Sequence, residues 1–105
     1  LVNKATGVFK HMDKAIDILE YWGASNEQIQ TILAKKVQTR AEKIVFIYDT
    51  LAILFSNPEN QKKFMTMVNY NTPFNGLTPL SYLTENPDRI GIVFNHLRAM
   101  ALSPW

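Results

Sequence analysis

A chain of 105 residues, 47% of them apolar, can build one compact core and hardly two. Lys and Arg outnumber Asp and Glu by 11 to 9 with the signs interspersed, so there is no basic arm or acidic tail, and the formal charge of +2 permits nucleic-acid binding without arguing for it. The lack of cysteine excludes a disulfide framework and thiolate chemistry, and no apolar run approaches the roughly 18 residues of a membrane span.

Taken in chain order, Val8, Phe9, Met12, Ala15, Ile16, Leu19 and Trp22 recur at helical spacing and define the stripe of a first amphipathic helix. Asp13, Asp17 and Glu20 read as its solvated side. Gly23 supplies a left-handed stop. Ser25 with Gln28 forms a capping-box signal that opens a second, shorter helix burying Ile29, Ile32 and Leu33. Thr39 with Glu42 repeats the signal and predicts the start of a third helix, with Ile44, Ile47, Tyr48, Leu51, Leu54 and Phe55 on its main stripe. Val45, Phe46 and Ile53 lie off that stripe, and a helix apolar on several sides is buried on several sides. The third helix is therefore expected to be central, or to pack one flank, Phe46 and Ile53, against a second copy of the chain.

Three later starts share a capping residue followed by proline: Asn57-Pro58, Thr78-Pro79 and Asn86-Pro87. The side-chain oxygen accepts from a free backbone N–H, and proline at the first helical position gives up a donor that would be unpaired anyway. The helix from Pro58 is expected to bury Phe64, Met65 and Val68, the one from Pro79 Leu80 and Leu83, and the last to align Ile90, Val93, Phe94, Leu97, Met100 and Ala101. No strand alternation or internal repeat occurs, so the fold class is all-α: a compact bundle of about six helices in one domain, with dimerisation expected.

Catalytic patterns are missing. His11 and His96 are far apart and sit in no metal spacing, the serines lack a nucleophile elbow, and Gly76 and Gly91 make no phosphate-cradling loop. The expectation is a protein that is no enzyme, with no cofactor and no metal. Nucleic acid has one foothold: "WGASNEQIQTIL" resembles the first helix of a helix-turn-helix unit. The following "AKKVQTRAEKIVFIY" enters the apolar third helix at once, so a separate recognition helix has no room. Lys35, Lys36, Arg40 and Lys43 are left as a weak candidate for phosphate contacts, against a plain solvated basic turn.

The stretch "NYNTPFNGLTPLSYL" makes the strongest local statement. Pro73 and Asn75-Gly76 force turns, Gly76 is expected at positive φ, and Phe74 and Leu77 must find apolar cover. Either Phe74 staples the loop to the core, or the loop, the helix after Pro79 and the chain end form one exposed apolar patch, the mark of a partner site.

In order and spacing, "EYWGASNEQIQTIL", "RAEKIVFIYDTLAILF", "NYNTPFNGLTPLSYL" and "IGIVFNHLRAMALSPW" resemble the toxin-binding domain of the Xre/MbcA/ParS antitoxins, bacterial partners of RES-domain toxins. The most specific part is Phe74-x-Gly76-x-Thr78-Pro79-Leu80 with Val93 and Leu97 at matching distance. The resemblance divides the chain into residues 1–56, an N-terminal helical region with a truncated helix-turn-helix-like element, and 57–105, the toxin-binding region, within one compact domain. It implies a cytoplasmic homodimeric antitoxin that occludes the active cleft of an NAD-consuming RES toxin. Phe74, Gly76, Thr78, Pro79 and Leu80 would shape the platform, while His96, Arg98 and Trp105 would lie on or near the tail that reaches the toxin. Departures are visible: Phe94 and Asn95 stand where some relatives have an arginine pair, and the shortened recognition element puts operator binding in doubt. A small DNA-associated regulator acting through residues 25 to 43 is the rival reading.

Overall fold

The computed structural model describes residues 6–34 and 37–102, with side chains from residue 12 onward except at position 37. Helix α1 spans Thr6–Tyr21. Its end is closed by paired reverse hydrogen bonds, Gly23 N–H to Glu20 C=O and Ala24 N–H to Leu19 C=O, both 2.9 Å, around Gly23 at φ +90°. Helix α2, Asn26–Leu33, opens on the expected capping box: Gln28 N–H donates to Ser25 Oγ and Ser25 N–H to Gln28 Oε1.

Helix α3 runs Val37–Leu54, so it begins ahead of the expected Thr39. The chain is already helical when it reaches Thr39, which leaves that residue no capping position to fill. The helix is central as predicted, packing against α1, α2, α4 (Pro58–Thr66) and α6 (Ile90–Leu102). Ala41, Ile44, Val45, Ile47 and Leu51 are buried between these neighbours.

Helix α4 is capped by Asn57, whose Oδ1 accepts from Glu59 N–H at 2.8 Å. It buries Met65, together with Gln61, whose side chain donates to the Phe55 carbonyl at 2.7 Å. Val68 does not join the core as expected but stays 49% exposed. The helix stops at Thr66, and the extended backbone of Met67 carries the chain off the helical stripe that Val68 would have continued.

Helix α5, Pro79–Glu85, is capped by Thr78 Oγ1, which accepts from Ser81 N–H at 3.0 Å. Asn86-Pro87 opens a 3-10 turn, Pro87–Arg89, and only then α6, Ile90–Leu102. Ile90, Val93 and Leu97 of α6 are buried, while Met100 is 40% exposed because it lies beyond the last core contact. A single apolar cluster joins α1 through α6, with Trp22 and Phe74 its largest fully buried side chains. The described residues form an all-α globule of six helices and contain no strand. None of these helices is long and apolar enough to cross a membrane.

Candidate partner-binding site

The connection from α4 to α5 is closed by its own backbone. Asn69 N–H donates to Leu77 C=O (3.0 Å) and Gly76 N–H to Asn69 C=O (2.8 Å), a lone antiparallel bridge across the loop mouth. Tightening the chain to that degree requires left-handed residues, and Asn75 (φ +49°) and Gly76 (φ +103°) supply them. The curl aims Phe74 inward.

Phe74 is 1% exposed, with three rings edge-on to it: Phe64 at 6.0 Å, Tyr82 at 5.3 Å and His96 at 5.5 Å between centroids. Edge-to-face pairs add about 0.5–1.5 kcal/mol each beyond buried area. Of the two readings open for this residue, the staple is the one realised. Pro79 and Leu80 are buried too. The expectation that Phe74, Pro79 and Leu80 present an apolar platform to a partner is therefore corrected: three aromatic neighbours on α4, α5 and α6 already cover the loop from inside. Gly76 and Thr78 are half-buried and engaged, the first in the turn, the second as the α5 cap.

His96 is half-buried with its ring against Phe74, Arg98 is exposed, and Trp105 lies outside the described residues. The loop thus meets the candidate helix through Phe74 and His96, not through a shared open surface. Beyond Leu97 the α6 side chains leave the core, with Leu102 72% exposed. Phe46 and Ile53 are 48% and 73% exposed, and Phe46 touches Phe94 of α6 at 5.8 Å.

The basic candidates part company. Lys35 and Lys36 lie outside the described residues. Lys43 sits over the Phe94 ring, Nζ 5.6 Å from its centroid. Arg40 is buried, and its expected phosphate role is corrected. One guanidinium nitrogen donates to the carbonyls of Ile32 (3.2 Å) and Ala34 (2.7 Å), the other to Asp88 at 2.7 Å. A buried planar fork with three of its five N–H groups spent closing the carbonyl end of α2 and reaching the 3-10 turn is committed inside the fold, not held out toward a phosphate.

Sequence reasoning missed one surface. Phe55, Phe64, Met67 and Val68, with Asn60, Lys63 and Asn69, line an open depression of about 310 Å³. Its deeper part is made by the half-buried rings of Phe55 and Phe64, 6.0 Å apart, and Met67 and Val68 stand exposed beside them. The signal was the run Met67, Val68, Tyr70, too many apolar residues for the end of a short helix to hide. On the other side of α4, Tyr21 donates to the Pro58 carbonyl at 2.7 Å, and Lys62 lies over its ring. Partial burial first, then the charges of Glu59 and Tyr48, push the Tyr21 phenol above its ordinary value.

Among the described residues no group of three His, Asp or Glu side chains is placed to hold a metal ion. Compared with protein-family models, curated proteins and solved structures, the chain matches none.

Proposed function

We propose that this chain is a non-enzymatic antitoxin, acting in the bacterial cytoplasm as a homodimer, that neutralises a RES-domain, NAD-consuming toxin by covering its active cleft. The support is the order and spacing of the four segments that resemble the Xre/MbcA/ParS toxin-binding domain, together with a helical frame of the kind that such a domain needs. The observation that carries the reading is the far end of α6. Its first turns are anchored by Ile90, Val93 and Leu97, and His96 leans on Phe74. Its last turn then presents Arg98, Met100 and Leu102 outward.

In this reading the Phe74-x-Gly76-x-Thr78-Pro79-Leu80 stretch is a bracket for α6 instead of a contact surface. It fixes the direction in which α6 delivers its exposed end to a partner, so less entropy is lost on docking. The exposed Phe46 and Ile53 would be covered by the second protomer.

The test is co-expression with the RES-domain protein that co-purifies from the native host. Arg98→Glu combined with Met100→Asp, or removal of residues 103–105, is expected to abolish protection of the cells while the helical circular dichroism signal stays unchanged. Full protection by both variants would remove the α6 end from the mechanism.

A further inference from the structure

We propose that the depression between α4 and the Met67–Asn69 segment docks a protein segment carrying one bulky apolar side chain and a carboxylate beside it. This goes beyond the antitoxin reading, since it concerns a different face and does not require a toxin. Three observations fix the chemistry of the occupant. The volume, about 310 Å³, lies at the low end for ligand pockets, and its deeper part is two phenylalanine rings, which suits one large side chain and not a cofactor.

The exposed walls are apolar as well. Met67 is 60% and Val68 49% exposed, with Tyr70 82% exposed close by in the chain, and an unbranched thioether at the mouth adapts to the shape of what enters. The polar lining is donor-rich and holds no acid. Ion pairs among the described residues are Arg40–Asp88 and Arg89–Glu85, and neither involves Lys63. Glu59, the acid one helical turn before Lys63, does not line the depression and forms no ion pair with Lys63. Asn69 uses its side-chain oxygen on the Asn71 amide at 2.9 Å, which leaves its nitrogen to donate. An ammonium and an amide donor beside two rings favour an apolar anchor with a carboxylate next to it, and they disfavour a basic segment.

The experiment uses the full chain. Short random peptides displayed on phage are selected on it, and the winners are synthesised and measured by fluorescence anisotropy and by amide chemical shifts. Winners are expected to pair a large apolar residue with a neighbouring Asp or Glu, to move the amides of residues 60–69, and to bind more weakly as salt rises. Lys63→Glu and Val68→Asp change exposed positions and leave the fold intact; each should weaken binding about tenfold or more. Selection of nothing, winners without an acid, or winners that bind Lys63→Glu equally well would overturn the assignment. So would concentration-dependent self-association that Val68→Asp abolishes, since the occupant would then be a second copy. The readout contains no toxin, so a failure to neutralise one leaves this result standing, and the reverse holds too.

Discussion

The α2–α3 and α4–α5 connections solve the same problem with opposite chemistry. In the first, carbonyls at the end of α2 are left unpaired and a cation comes inside to meet them: Arg40 bonds Ile32 and Ala34. In the second, a tight curl throws an aromatic ring inward, and Phe74 is met by Phe64, Tyr82 and His96. Both residues look in sequence like material for a partner, one a basic contact and the other an exposed greasy tip. In a domain this small, a large side chain in a connection is used first to fasten the connection. What is left for a partner comes from plainer positions such as Met67, Val68 and Leu102.

The comparison breaks most readily at Phe74. Phe74→Ala removes a fully enclosed ring, and we expect about 3–5 kcal/mol of lost stability. In a domain of this size that lowers the thermal midpoint by roughly 15 °C or more, which a melt followed by circular dichroism measures; a shift of only a few degrees would mean that the ring is not the staple. Gly76→Val comes next. Apart from its chain neighbours, no atom lies within 4 Å of where its Cβ would sit, so the penalty is chiefly that of a β-branched residue at φ +103°. It is about 2 kcal/mol, and a Gly76→Ala variant should recover part of it.

Arg40 sharpens the contrast between fastening with charge and fastening with rings. Arg40→Ala strands the carbonyls of α2 and should destabilise by about 1–2 kcal/mol in urea titrations. Arg40→Lys should restore less than half, because an ammonium has no fork. Asp88 is 75% exposed, so Asp88→Asn should change stability by about 0.5 kcal/mol or less. If Asp88→Asn equals Arg40→Ala, the ion pair and not the helix end holds this junction. The smallest effect belongs to Ile53→Ser, within about 0.5 kcal/mol for the folded protomer. Analytical ultracentrifugation then asks whether the same change dissociates a dimer.

The signals that could be read along the chain were the local ones. Ser25 with Gln28, Asn57, Thr78 and Asn86 each satisfy donors within a few residues of themselves, so their roles follow from neighbours in sequence. Gly23 and Gly76 at positive φ are local in the same way. Inside and outside were harder to tell apart in the connections. Val68 continues the spacing of Phe64 and Met65 yet faces out, because the chain leaves helix at Met67, and no periodicity announces that exit. Arg40 sits in a basic stretch that looks solvated, and its acceptors become visible only once α2 ends against α3. The depression beside α4 was illegible for a related reason: its rings come from Phe55 and Phe64, its walls from the loop, and only folding brings them to one place.

The rings themselves form a continuous column. Phe55 touches Phe64, Phe64 touches Phe74, and Phe74 touches His96 on α6. Close-packed interiors transmit strain between neighbouring side chains. Phe55 and His96 are the two ends of this series, and Phe64 and Phe74 are the contacts through which a push at one end would reach the other. A histidine proton resonance, watched while the opposite face is titrated, becomes a remote gauge of pressure within the molecule.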